Sequence, residues 1–406
     1  MDERRYYGLD ALRGTMMMLG IVLHGAMFYM ATPHPFLAPL VDRAAASPIF
    51  DALFHLIHSF RMPAFFVLSG FFTALLVEKR GAWGAFRNRA ARVAAPLVAG
   101  TFTIVPVTLL LMVDVIVSLR FGTHALLPER AQMETLGAEL KAAGLPVDDP
   151  GVAHLWFLYY LCWFYLLIPA CRALAAATLR VPNGMRRLLE SPAALLVAGL
   201  WTAATLWPFP GGQVMEGFVA LKPHAPSLIY YGSFFVFGYV LHAHRDCLKA
   251  FVRFLPWIAP LIALLFPLSL YLTHLESVAT ADVSQAHLAA VIVHGLCTWA
   301  LIYLFVGLSL RFFDHESPWT LYVSQSSYWV FLMHMPAVSF AAWALLPYAL
   351  PGIAKFTFLV AFAAVVCFAT YHYAVQRTWV SVFLNGKRFN LDWPWRKPAA
   401  VQDASP

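Results

Sequence analysis

The chain has 406 residues, 61% of them hydrophobic and only 12% charged, with a mean hydropathy of +0.68. Soluble globular domains hold about 25% charged residues, so this composition excludes a soluble enzyme and indicates a polytopic membrane protein. The net charge of +7 follows from where Lys and Arg sit along the chain and calls for no nucleic-acid partner.

A membrane span needs about 20 mostly apolar residues. Such runs lie near 14–31, 52–77, 94–119, 154–171, 191–208, 227–243, 255–274, 287–310, 320–346 and 353–376. They predict an all-α transmembrane bundle of about ten spans. The first run has no small-residue cleavage site after it and reads as an anchored span, not a removed signal. All but seven of the 28 Lys and Arg residues fall in alternate connections if the N-terminus is cytoplasmic. This bias places both termini in the cytoplasm and puts a basic face against anionic lipid or a polyanionic ligand. The expected division is a membrane domain over 1–380 and a cytoplasmic tail over 381–406, in which Trp393 and Trp395 anchor at the interface before a disordered end.

Ionisable groups inside spans are costly and mark function by default. In the first run, "LDALRGTMMMLGIVLHG", Arg13 and His24 are eleven residues apart. At 100° per residue they share one helix face, roughly 16 Å apart along the axis. Asp10 lies one turn before Arg13 and can pair with it. A neutral imidazole at membrane depth is a candidate general base; the competing reading is a hydrogen bond to a neighbouring helix. The second run holds His55, His58 and Arg61 at spacings of three, expected on one broad face. Arg61 and His58 are candidates to bind an acyl carboxylate or an acceptor, against a structural ion pair or snorkelling. Ser69 and Gly70 in "FFVLSG" suit close helix packing. Arg89 and Arg92, three apart before the third span, offer guanidinium forks suited to phosphate or ordinary positive-inside charge. Asp114 is a deep carboxylate expected to pair with a buried His or Arg.

His154 opens "HLWFLYYLCWFYLL" at an aromatic boundary, and Ser327 and His334 lie seven residues apart in "SQSSYWVFLMHMP". Tyr371, His372 and Tyr373 read as interfacial. The five cysteines form no CxxC pair, so neither a zinc site nor a disulfide framework is indicated. No metal and no permanently bound cofactor is predicted, since no P-loop, HExxH or dinucleotide fingerprint is present.

The set Arg13-x10-His24, "LDALRG", "FFVLSG", Arg89-x-x-Arg92, "LWFL" and "SSYWVFLMH" resembles the acyltransferase 3 family of integral membrane acyltransferases, over residues 1–340. The fuller "HSFRMPAFFVLSGFF" is similar to the branch associated with succinylation of osmoregulated periplasmic glucans. The resemblance implies a multi-pass enzyme of the bacterial inner membrane, with acyl-CoA (succinyl-CoA in that branch) as cytoplasmic cosubstrate and a periplasmic glucan hydroxyl as acceptor. It points to Arg13 and His24 as the catalytic pair and to Arg89 and Arg92 as the acyl-CoA site, with Asp10, Ser69 and His334 in support. Two departures stand out. The soluble hydrolase-like domain that some members append is not expected here, so the bundle alone would perform transfer. Tyr159 and Tyr160 replace the paired acidic residues that many members carry after "LWFL". A homo-oligomer or a glucan synthase partner stays open. The alternative class is a polysaccharide or small-molecule transporter or flippase.

Overall fold

The structure, a computed structural model, describes residues 5–142, 151–168, 183–215, 223–278 and 284–395. Among these residues there are helices and turns and no β-strand. In chain order the α-helices are α1 (Tyr7–Ala26), α2 (Pro48–Arg89), α3 (Ala95–Phe121), α4 (Arg130–Ala142), α5 (Trp156–Leu166), α6 (Asn183–Leu189), α7 (Ala193–Leu206), α8 (Ala225–Ala243), α9 (Leu248–Arg253), α10 (Leu255–Val278), α11 (Ser284–Phe312), α12 (Pro318–Leu345), α13 (Gly352–Thr370) and α14 (Trp379–Asn385).

Helices occupy each of the ten positions where the sequence predicts a span. Six runs among the described residues are long and apolar enough to cross a membrane: Tyr7–Tyr29, Pro48–Phe121, Leu255–Glu276, Gln285–Phe312, Pro318–Leu345 and Gly352–Val375. The 74-residue run Pro48–Phe121 contains two of the predicted spans. It is broken by a kink at Gly81, whose φ is 69°, and by a π-helical turn at Ala90–Ala94. The predicted spans at 154–171 and 191–208 form the shorter helices α5, of 11 residues, and α7, of 14. At about 1.5 Å per residue α5 covers about half of a 30 Å hydrocarbon core.

Lipid tails are as apolar as Leu, so these helices associate by close packing rather than by the hydrophobic effect. Small residues set the contacts. A Cβ on Gly70 of α2 would overlap the Phe235 carbonyl of α8, and one on Gly238 would overlap the Val67 carbonyl. The expected packing role of Gly70 is therefore filled. Gly14 lets α1 meet Val323 of α12, and Gly199 and Gly295 bring α7 onto α11. Large apolar residues such as Phe102, Trp257 and Val365 remain exposed on the outer faces, as a lipid-facing surface requires.

The connection from α1 to α2 is tied down at both ends. Asp51 of α2 accepts from the Ala31 and Thr32 amides at 2.8 Å each. Lys355 of α13 donates to Asp42 at 2.7 Å in a buried ion pair. The predicted tail is packed against the bundle as far as it is described. Gln376 binds the backbone of Phe389 and Leu391, and Trp393 stacks on His372 with ring centroids 4.0 Å apart. Residues 396–406, expected to be disordered, lie outside the described residues.

Candidate active site

Four helices, α1, α2, α5 and α12, surround an axis that carries two cavities. Each helix contributes a stripe of side chains at helical spacing that runs from one cavity to the other. On α12 the stripe is Ser324, Ser327, Phe331 and His334; on α1 it is Arg13, Met17 and His24.

The first cavity, of ≈ 610 Å³, lies at the amino-terminal end of α1. Arg5, Arg13, Arg80, Arg89, Arg92 and Lys387 line it, and among the described residues no acidic residue does. Asp10 holds Arg5 and Arg13 from behind at 3.2 Å each, as its position one turn before Arg13 predicts. Arg13 also donates to Ser324 Oγ at 2.8 Å and lies over the Phe72 ring. Ser69 lines this basic cavity as well.

Arg89 and Arg92 both reach it but are not equivalent. The Arg89 guanidinium lies over Tyr165, 5.4 Å from the ring centre, and its buried Nε has no hydrogen-bond partner. Arg92 donates to the carbonyls of Val382 and Phe383 at the carboxy-terminal end of α14. Both carbonyls are among the last four of the helix and carry the negative end of its dipole; that of Val382 also accepts from the Gly386 amide at 3.0 Å. Tyr328 fixes the backbone beneath by donating to the Arg92 carbonyl at 2.8 Å.

The second cavity, of ≈ 110 Å³, lies toward the other end of α1. His24, His58, Arg61, His154 and His334 line it together with apolar side chains, again with no acidic residue among the described residues. Phe36 and Leu37 of the α1–α2 connection cover it. His24 is half-buried, with its ring tilted against His334 at a centroid distance of 5.1 Å. His58 stacks on Phe54. Arg61 is 5% exposed; its Nε donates to the Met16 carbonyl at 2.8 Å, and its guanidinium packs on the bare Cα of Gly20. Among the described residues no group of His, Cys, Asp or Glu is arranged to hold a metal ion.

Phe157 and Phe331 line both cavities and form the wall between them, edge to face at 6.0 Å. Arg13 and His24 therefore share a face of α1 but open into different cavities. They do not act on one another; they mark two ends of one path.

Several expectations are redrawn. His55, placed by sequence on the face of His58 and Arg61, points away from the cavity and joins Ser269 and His294 between α10 and α11. Six residues at 100° each put it about 120° from Arg61, too far to share a stripe. Asp114 is buried and, among the described residues, is not paired with His or Arg. Asn385 and Lys387 enter the basic cavity unannounced by any motif, Ser324 enters it from the start of "SQSSYWVFLMHMP" without having been singled out there, and His154, read as part of an aromatic boundary, enters the histidine cavity.

The family described as acyltransferase domain matches residues 6–372. The chain is 24% identical over 355 residues to glucans biosynthesis protein C of Salmonella schwarzengrund, covering 83% of each chain. It is 35% identical over 96 residues to the protein of that name from Escherichia coli K12, covering 23% of each. With the Salmonella typhi protein of that name the identity is 31% over 157 residues, or 39% of this chain and 36% of the relative. No solved structure matches the chain.

Proposed function

The chain belongs to the acyltransferase-domain family as a multi-pass membrane acyltransferase, and on that premise we propose that it moves a succinyl group from cytoplasmic succinyl-CoA to hydroxyls of a periplasmic glucan, with His24 as general base. One observation carries this reading: a basic cavity and a histidine-lined cavity meet end to end at Phe157 and Phe331. A donor bearing phosphates suits the first and a neutral polyol suits the second. The names of the relatives motivate the glucan and no more.

In this reading the basic cavity opens to the cytoplasm of the bacterial inner membrane. Arg13 and Arg89 bind CoA phosphates, and Arg92 joins them by exchanging the α14 carbonyls for phosphate oxygens. The thioester arm passes between Phe157 and Phe331 and presents its carbonyl beside His24. The His24 imidazole takes the proton of an acceptor hydroxyl. The alkoxide oxygen attacks the thioester carbon, the carbon–sulfur bond breaks, and His24 returns the proton to the departing thiolate. Ester and free CoA thiol leave. A positioned base of this kind contributes about 10²–10⁴-fold in rate, and holding both substrates in line contributes further. Arg61 takes the free carboxylate of the succinyl group, which would be costly to bury unpaired.

The test is mass spectrometry of periplasmic glucans from cells lacking this chain and complemented with wild type or His24→Ala. A mass increment of one succinyl group, restored by wild type and not by the variant, is the expected result. Loss of the glucan itself from the periplasm would establish export instead.

A further inference from the structure

His334 and His154 differ from His24 in being locked by backbone carbonyls. Nδ1 of His334 is 2.7 Å from the Phe331 carbonyl and 3.1 Å from that of Val330. A carbonyl oxygen only accepts, so the proton is on Nδ1 and Nε2 keeps its lone pair. Nε2 of His154 is 3.1 Å from the Leu332 carbonyl, so there the proton is on Nε2 and the lone pair on Nδ1. Both lone-pair nitrogens, Nε2 of His334 and Nδ1 of His154, are buried and have no hydrogen-bond partner among the described residues. The residues are 0% and 8% exposed, stand perpendicular with centroids 5.6 Å apart, and line the same cavity.

The sequence supplies the reason. In a helix the carbonyl of Leu332 would accept from the amide of residue 336, but residue 336 is proline and has no N–H. Pro336 thus frees that carbonyl, and His154 of the neighbouring segment fills it. Three successive carbonyls of α12 fix two imidazoles, each with an acceptor left unpaired.

We infer that His154 and His334 are positioning residues for the acceptor: two neutral nitrogen acceptors that receive hydroxyl donors of a sugar and so present the neighbouring hydroxyl to His24. The inference rests on the polyol acceptor assigned above. Two lone pairs without a donor call for a ligand rich in O–H groups. A cationic ligand would meet the Arg61 guanidinium in the same cavity, and a purely apolar one would leave both nitrogens unpaired at a cost.

The measurement is calorimetric binding of methyl β-glucoside and its monodeoxy forms to the full chain in lipid nanodiscs, followed by succinyl-CoA addition. His154→Gln keeps an amide N–H for the Leu332 carbonyl and loses the acceptor at Nδ1. His334→Asn keeps the donor at Nδ1 and loses Nε2. Each variant weakens binding of the parent glucoside about five- to tenfold, the effect of one neutral hydrogen bond. Each also leaves unchanged the binding of the deoxy form that lacks its partner hydroxyl. Pro336→Ala restores an amide donor for Leu332, releases the His154 tautomer and weakens binding without touching the cavity. Equal binding by wild type and variants overturns the inference, and so does equal loss against every deoxy form, or no glucoside binding at all. Binding as expected with no ester formed on adding succinyl-CoA would instead overturn the acyl-transfer reading and leave the acceptor site standing.

Discussion

Arg61 places a guanidinium in a cavity that no carboxylate lines among the described residues. If it receives the free acid of a succinyl donor, Arg61→Gln lowers succinyl transfer by tenfold or more and leaves acetyl transfer within about threefold, because a charged hydrogen bond is worth about 1.5–3 kcal/mol. Competing the two donors in one reaction reads the ratio directly; equal losses would show that Arg61 holds the fold through the Met16 carbonyl and nothing else. At this scale the sequence was informative where a residue type is rare. Arg13, His24, His58 and Arg61 all line one cavity or the other, since an ionisable group inside an apolar run needs a polar or wet neighbourhood. His154 was harder to read. Its role depends on a carbonyl orphaned by Pro336, 182 positions away in the chain, and no local spacing records that relation.

Among the elements, α14 is the one whose part was least visible beforehand. Seven residues at the predicted boundary between membrane domain and tail form a helix whose terminal carbonyls hold Arg92. Gly386 makes this possible. It ends the helix at φ 89°, in the left-handed region, and a Cβ there would lie 2.8 Å from an Arg92 nitrogen. Gly386→Ala combines a backbone cost of about 1–3 kcal/mol with that clash, so it frays α14 and releases Arg92. Amide hydrogen exchange over 379–385 speeds up while α12 stays protected, and the KM for succinyl-CoA falls several-fold, because Arg92 no longer gives up the α14 carbonyls to reach phosphate. Unchanged exchange in α14 would mean that Arg92 yields instead and that the helix is held from elsewhere. The long helices were legible because apolar runs of span length have few alternatives. The shortness of α5 and α7, of 11 and 14 residues, was not legible, because an aromatic or small-residue run looks the same whether or not its whole length is one helix.

For the molecule as a whole, what matters is that four helices drawn from both ends and the middle of the chain form a path divided by two phenylalanines. Both Phe157 and Phe331 are nearly fully buried, at 2% and 3% exposure, and in the proposed reaction the thioester passes between them. Such a wall keeps water in one cavity from a donor held in the other, and excluding water prevents hydrolysis of a reactive intermediate. Phe331→Ala removes half of the wall. Core Phe→Ala changes cost about 3–5 kcal/mol, so the variant is compared with Phe60→Ala, an equally buried ring outside both cavity linings. If the wall gates transfer, Phe331→Ala alone releases CoA thiol from succinyl-CoA without an acceptor, at several times the wild-type rate, and forms less ester per thiol released. Thiol release that rises equally in both variants would assign the effect to a loosened bundle. Release at the wild-type rate in Phe331→Ala, with ester formation intact, would mean that the donor reaches His24 by another route and that the shared lining of the two cavities is packing alone.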